Sequence, residues 1–280
     1  MMRQDGHAIE SLRASEEKFA RLCDLIEGYG KLAVAYSGGV DSTFLLKVAE
    51  AILGKQAIAI TARSSYIAKR EIEEAQELAK KNGFNMQILD FKLSDEITNN
   101  PQDRCYLCKK AIFGEIKANA EKQGVFIVAD GSNADDVKDY RPGMRALKEL
   151  NIKSPLMDSG ITKAEIRKWS RLLSLDTWDK PAYACLLTRL PYDVPILEQD
   201  LRMIENAESF IMDKGFKAIR VRKHGDVARI EVEMSYMNDF LNIALMKEIS
   251  KHLKSIGFSY VTLDLEGYQM GSFNKGVAKK

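Results

Sequence analysis

Lys31-Leu32-Ala33-Val34-Ala35-Tyr36-Ser37-Gly38-Gly39-Val40-Asp41-Ser42 joins a short apolar run to a loop with two adjacent glycines, and a helical pattern from Thr43 to Leu53 follows, closed by Gly54. An apolar run of this length suits a strand buried on both faces, and glycine is the usual stop of a helix. Glycines let the backbone turn tightly and let a ligand approach without Cβ obstruction. Ser37, Ser42 and the amides at the helix start can donate to oxyanions. The loop has no lysine in the G-x-x-x-x-G-K-[ST] arrangement, so it does not present the pattern of γ-phosphate transfer, and cleavage of another bond is expected.

Working outward, Phe19, Leu22, Cys23, Ile26 and Tyr29 recur at helical spacing between Ser15 and Tyr29, with Glu16 and Glu17 in the first turn and Gly30 as the stop. Downstream, the apolar runs Ala57–Thr61, Met86–Leu89 and Val125–Ala129 alternate with a charged helix ending near Asn82 and Gly83 and a helix over about Cys105 to Lys122. Such alternation predicts an α/β fold with a parallel sheet covered on both faces. In open sheets of that kind the strand ends line ligand crevices, which makes Thr61 to Ser64 and Asp130 to Asn133, Thr61 and Gly131 among them, candidate nucleotide contacts. Thr162-Lys163-Ala164-Glu165 is a capping-box pattern opening a helix to about Leu173. Beyond Pro195 the order becomes helix (Ile196–Lys214), strands (Ile219–Arg222, Ala228–Val232), helix (Met237–Ser255) and strand (Tyr260–Leu265). This αββαβ order predicts a smaller α+β domain over 195–280 beside a larger α/β domain over 1–194 that carries the cysteine pair and Cys185. The face Phe240, Leu241, Ala244, Leu245 and Ile249 is expected to enter the smaller domain's core.

The bulk numbers bound the function. In 280 residues, 45% hydrophobic and 29% charged, Lys plus Arg number 42 against 40 Asp plus Glu. That near balance argues against a nucleic-acid partner. No apolar run approaches the roughly 20 residues that span a bilayer, and MMRQDGHAIESLRASEEKF lacks the apolar core of a secretion signal, so a cytoplasmic protein without membrane contact is expected. Four cysteines are too sparse for a disulfide scaffold, which shifts attention to their positions.

Cys105 and Cys108 stand in Arg104-Cys105-Tyr106-Leu107-Cys108-Lys109, and on a starting helix positions i and i+3 share a face, so two thiolates can serve one centre. Arg104, Lys109, Lys110 and the helix start favour the thiolate, which suits either metal chemistry or a redox dithiol. Cys185 lies in Trp178-Asp179-Lys180-Pro181-Ala182-Tyr183-Ala184-Cys185-Leu186-Leu187-Thr188-Arg189. Three cysteines do not close a four-thiolate zinc site unless His7, His224 or His252 completes it, whereas a 4Fe-4S cluster on three thiolates keeps one iron open. Cys23, on an apolar helix stripe, reads as a small buried hydrophobe. Arg220, Arg222 and Arg229 alternate on two short strands, where Arg forks can grip phosphate and carboxylate, and Arg189 beside Cys185 is placed to orient a reacting carboxylate. Glu208, Glu231 and Asp239 are candidates for a divalent ion, against the ordinary reading of such acids as solvated.

The string SGGVDS resembles the signature of PP-loop ATP pyrophosphatases, in which the α-β bond of ATP is broken, the substrate becomes AMP-activated and pyrophosphate stays on the loop. By that resemblance Ser37, Gly38, Gly39, Asp41 and Ser42 bind ATP, with Asp41 supporting Mg²⁺ or ordering the loop. Together with RCYLCK, GSNADD, WDKPAYACLLTR and the stretch Ile219 to Glu231, it makes the chain similar over nearly its whole length to ATP-dependent sulfur transferases of the LarE type. The resemblance implies adenylation of pyridinium biscarboxylate mononucleotide and its conversion into a thiocarboxylate for the nickel-pincer nucleotide. Some members give up sulfur from one cysteine, which becomes dehydroalanine. Others hold a 4Fe-4S cluster on three cysteines and pass on sulfide from its open iron. Cys105, Cys108 and Cys185 match the second kind, with sulfide or another donor as partner and a homo-oligomer as the expected assembly. A PP-loop tRNA thiolase and a non-catalytic metal or nucleotide binder are the rival readings.

Overall fold

The computed structural model describes residues 2–92, 94–138, 142–181 and 184–269. Two compact units divide the chain: Met1–Ser64, Lys69–Ser94 and Asp103–Lys180 form the first, and Ser65–Ala68, Asp95–Gln102 and Pro181–Lys280 the second. The division at Lys180 precedes the expected boundary at 194/195 and groups Cys185 with the second unit. The cause is a set of single long-range hydrogen bonds that no periodicity announces. Leu186 donates its amide to the Tyr66 carbonyl (2.9 Å), Asp193 to Asn100 (3.1 Å) and Ile196 to Thr98 (2.7 Å), and the Asn100 side-chain amide donates to the Pro191 carbonyl (2.7 Å).

The first unit runs α1 (Met2–Ser15), α2 (Glu17–Tyr29), β1 (Leu32–Ala35), α3 (Val40–Leu53), β2 (Ala57–Arg63), α4 (Lys69–Asn82), β3 (Met86–Asp90), α5 (Arg104–Glu121), β4 (Val128–Ala129), α6 (Pro142–Glu149), α7 (Pro155–Asp158) and α8 (Lys163–Leu172). The four strands pair in parallel in the order β3-β2-β1-β4. Side chains alternate across a strand, so Leu32, Val34, Ala57 and Ala59 pack with Phe19, Ile26, Phe44 and Trp169, while Ala33, Ile58 and Ile60 pack with Phe113, Ile116 and Leu147. Each fully buried Val, Leu, Ile or Phe among them contributes about 1.5–3 kcal/mol, which is why the sheet is sealed on both faces. The capping box at Thr162 forms as read: the Thr162 amide donates to Glu165 Oε2 (2.8 Å) and the Glu165 amide to Thr162 Oγ1 (3.4 Å).

Three local differences from the sequence reading stand out. Helix α1, unanticipated because its charged start and Gly6 mask the pattern, buries Ile9 and Leu12 in the core. Strand β4 is only Val128 and Ala129 rather than Val125–Ala129. Helix α3 starts at Val40, so Asp41 and Ser42 sit in its first turn instead of in the loop.

The second unit contains α9 (Glu198–Asp213), β5 (Arg220–His224), β6 (Val227–Glu231), α10 (Met237–Phe240), α11 (Ile243–Ser255) and β7 (Tyr260–Leu263). β5 and β6 form an antiparallel hairpin, and β7 returns parallel to β6. The expected helix Met237–Ser255 is broken by Asn242, whose Oδ1 accepts from the amides of Ala244 (3.0 Å) and Leu245 (3.1 Å) and so starts α11 afresh. Phe240 and Ile249 therefore enter the core with Leu245 against it, whereas Leu241 and Ala244 stay exposed. Among the described residues no helix is long and apolar enough to cross a membrane.

Candidate functional site

The sheet order makes β1 a switch point, with β2 and β3 on one side and β4 on the other, so the loops after β1 and β4 border one crevice at the carboxyl ends of the strands. The first loop is shaped by its own hydroxyls. Ser42 Oγ accepts from the Ser37 amide (3.3 Å), lies 3.2 Å from Ser37 Oγ and donates to the Gly39 carbonyl (3.3 Å), and the Gly39 amide donates to Ser37 Oγ (3.3 Å). Gly38 has φ +68°, and a Cβ there would lie 2.8 Å from Ala75 Cβ and 2.9 Å from Ala75 Cα on α4. Gly131, from the loop after β4, lies so close that a Cβ would meet the Ser42 amide nitrogen at 3.1 Å. Helix geometry gives the amides of Val40, Asp41 and Ser42 no intrahelical acceptor, and they mark the positive end of the α3 dipole.

Basic groups surround this turn. Lys163 Nζ lies 2.5 Å from Asp41 Oδ2, and Asn133 Nδ2 approaches Asp41 Oδ1 at 3.5 Å. Lys180 Nζ donates to the Gly38 carbonyl (3.1 Å) and pairs with Glu74 Oε2 (2.9 Å). Asp130 at the end of β4 accepts from the hydroxyls of Ser132 and Ser154, which fixes the second loop. Thr61 gives its hydroxyl to the Tyr36 carbonyl (2.6 Å) and so braces the end of β1. Arg63 pairs with Asp90 across β2 and β3. Lys163 and Lys180 were missed as site residues, because each reaches the loop from more than a hundred positions away and no local pattern carries that signal.

Burial pushes the Asp41 carboxyl above the usual carboxylate range, with Lys163 opposing. A carboxyl raised in the folded state binds more protons there than in the unfolded chain, so its contribution to stability falls as pH climbs from the ordinary carboxylate value through the raised one. Asp41→Asn removes that penalty. The thermal midpoint of the ligand-free protein at neutral pH is expected to rise, with the gain vanishing below the ordinary carboxylate value. Calorimetry across acid to neutral pH checks this, and an equal or lower midpoint at neutral pH contradicts it.

In the second unit, residues two apart share a strand face, and Arg220, Arg222, Arg229 and Glu231 lie together on one face of the hairpin while Val221 and Ile230 fill the core. Arg222 makes a two-pronged pair with Glu231 (3.1 and 2.9 Å) and donates to the Thr188 carbonyl (2.5 Å). Arg229 reaches Glu231 (3.1 Å) and Asp264 (2.8 Å). Arg220 lies over the Tyr268 ring at 4.8 Å, and desolvation followed by the nearby Arg189 charge pushes its pKa down. Arg189 is 1% exposed and forked onto Glu208 (2.9 and 3.0 Å), and its Nη1 donates to the carbonyls of Ala184 (2.6 Å) and Cys185 (3.2 Å). Its guanidinium thus holds the backbone that carries Cys185, instead of standing open to a reacting carboxylate. Glu208 and Glu231 face arginines and Asp239 is exposed, so the expected carboxylate trio does not converge.

Cys105 is exposed and Cys108 half-buried at the start of α5, and Tyr106 between them is anchored to α6. The Arg145 guanidinium lies 3.6 Å over its ring, and its hydroxyl donates to Glu149 Oε2 (2.7 Å). Cys23 is fully buried, and burial pushes its thiol up to about 11, which leaves it inert. Ala182 and Tyr183 of the Cys185 motif lie outside the described residues. Among the described residues no three His, Cys, Asp or Glu side chains are grouped to hold a metal ion.

A family model described as NAD synthase matches residues 23–122, the span from α2 through α5 that contains the phosphate loop. Protein slr1717 of Synechocystis sp. is 39% identical over 266 residues, 94% of this chain and 99% of the relative. Pyridinium-3,5-bisthiocarboxylic acid mononucleotide synthase of Lactiplantibacillus plantarum is 34% identical over 265 residues, 94% of this chain and 95% of the relative. With a parallel sheet, a lysine-free phosphate loop at its switch point and this likeness along almost the whole length, the chain belongs to the LarE-type family of PP-loop proteins.

Proposed function

We propose that the protein is an ATP-dependent sulfur transferase acting on a carboxylated pyridinium mononucleotide. The observation that carries this reading is the loop Ser37–Ser42, pre-shaped by its own hydroxyls at the β1/β4 switch point, rimmed by Lys163 and Lys180 and lacking a γ-phosphate lysine. A substrate carboxylate oxygen attacks the α-phosphorus of ATP, the α-β bond breaks, and pyrophosphate leaves onto the loop amides, where fixed donors stabilise the developing charge. A sulfide sulfur then adds to the acyl carbon of the acyl-AMP, AMP leaves with the bonding electron pair, and one carboxylate oxygen has been replaced by sulfur. Arg220, Arg222 and Arg229 stand on one face of the hairpin in the second unit, and guanidinium forks of this kind suit a phosphorylated, carboxylated substrate.

The half-buried Asp41 carboxylate beside the loop fits one ligand of a Mg²⁺ shared with ATP phosphates, which is how that ion is ordinarily held. Cys105 and Cys108, one helical turn apart, fit two thiolate ligands of a 4Fe-4S cluster, and Cys185 is the third in this reading. Such a cluster, when bound, supplies an open iron. The same reading makes the protein a cytoplasmic homo-oligomer, for which exposed Leu241, Ile243 and Met246 offer an apolar face. The test is anaerobic incubation with ATP, Mg²⁺, sulfide and pyridinium-3,5-biscarboxylic acid mononucleotide, followed by analysis of nucleotides and substrate mass. AMP, pyrophosphate and an oxygen-for-sulfur mass gain are expected. ADP and orthophosphate would overturn the loop reading, and sulfur incorporated only into tRNA supplied in parallel would favour the thiolase.

A further inference from the structure

Of Trp178-Asp179-Lys180, the front of the motif that leads to Cys185, only the Lys180 ammonium entered the reading above, at the rim of the phosphate loop, yet the structure fixes the whole stretch. Lys180 is held at both ends. Its ammonium donates to the Gly38 carbonyl (3.1 Å) and pairs with Glu74 on α4 (2.9 Å). Its own carbonyl accepts from Arg167 Nη2 (2.9 Å), and Arg167 Nη1 takes the Trp178 carbonyl (2.6 Å). Arg167 stands one turn after Lys163 on α8, and Arg171, a further turn along, lies 5.0 Å from the Trp178 ring. Lys180 therefore spans the phosphate loop, α4 and α8, and it is the last residue of the first unit. The chain reaches Cys185 five positions later.

The acceptor matters. A trans peptide is planar, so the Gly38 carbonyl and the Gly39 amide turn as one body. Lys180 holds the carbonyl end, while the amide end makes only a long bond to Ser37 Oγ (3.3 Å). An oxyanion that took that amide would turn the plane and so act on the ammonium at its other end. Lys180 is only 15% exposed, so its charge is weakly screened from such an anion.

We propose that Lys180 is a positioning residue that ties occupancy of the phosphate loop to the setting of the Cys185 segment; this rests on the phosphate-loop reading above. The test is hydrogen exchange of the full-length protein with and without ATP and Mg²⁺, read at the amides of Ala184 to Leu190, for wild type, Lys180→Gln, Lys180→Arg and Glu74→Gln. ATP affinity is measured on the same samples. In wild type, ATP slows exchange in that segment by about fivefold or more, the lower end of ordinary coupling between linked sites. Lys180→Gln, read at ATP concentrations that saturate it whatever its affinity, loses the slowing, Lys180→Arg keeps most of it, and Glu74→Gln, which leaves the ammonium on Gly38, keeps it as well. A purely structural lysine would change exchange equally with and without ATP. Persistence of the ATP effect in Lys180→Gln, or its absence in wild type that binds ATP, overturns the proposal alone. Wild type that does not bind ATP overturns the phosphate-loop reading and this inference with it.

Discussion

Gly38→Ala lowers ATP-dependent pyrophosphate release by about 100-fold or more, the cost usually found when one fixed donor to a developing oxyanion is lost. Two physical terms combine. The residue sits at φ +68°, where an L side chain costs about 1–2 kcal/mol. Its Cβ would stand 2.8 Å from Ala75 Cβ and 2.9 Å from Ala75 Cα, and the second atom is helix backbone that cannot swing aside. Either α4 retreats or the Gly38–Gly39 peptide rotates, and overpacking of this kind adds about 1–3 kcal/mol. Gly160→Ala separates the terms, because Gly160 has φ +69° but nothing within 4 Å of its Cβ position. It is expected to cost only the backbone strain and to leave pyrophosphate release near wild type. Thermal midpoints and pyrophosphate release measured on both variants decide the matter. Gly38→Ala within tenfold of wild type would mean that the loop does not hold the leaving group.

The phosphate loop was legible because its chemistry is local: strand, two glycines and helix are adjacent in the chain and follow in that order, with the helix starting at Val40 and not at Thr43. The capping box of α8 was legible for the same reason. What surrounds the loop was not, since Lys163 and Lys180 arrive through the order of the whole sheet and share no window with Ser37–Ser42. Arg220 and Arg222, two positions apart, share a strand face as the period of a strand requires, whereas the expectation that Arg189 orients a reacting carboxylate did not include Glu208, which lies nineteen positions on and turns its fork inward. A burial pattern predicts which strand face is covered, but pairing across elements depends on a register that no single segment encodes. The break at Asn242 shows the opposite case. Asn-Ile-Ala-Leu carried a cap signal inside an apolar helical pattern, and the cap prevailed because a side-chain oxygen satisfied two amides at once.

Arg189→Met is expected to destabilise the second unit by about 3–5 kcal/mol, the range seen when one partner of a buried ion pair is removed. The pair is almost sealed, with side-chain exposures of 1% for Arg189 and 7% for Glu208, so little solvent screening reduces the effect. The charge left behind is Glu208, whose Oε1 also accepts the Val221 amide (2.8 Å) from the outer side of the edge strand β5. Arg189→Met/Glu208→Gln removes the stranded charge and keeps an acceptor for Val221, so it is expected to recover at least half of the loss. Arg189→Lys should fall between, because one ammonium cannot reproduce both the fork onto Glu208 and the bonds to the Ala184 and Cys185 carbonyls. Urea midpoints rank the variants, and hydrogen exchange at Cys185 in the folded state reports the loop. If Arg189 only neutralises Glu208, the double variant restores both stability and protection at Cys185. If it also positions the Cys185 backbone, as its bonds to those carbonyls require, stability returns while the Cys185 amide stays fast, and sulfur transfer stays impaired in a protein that is folded and binds ATP.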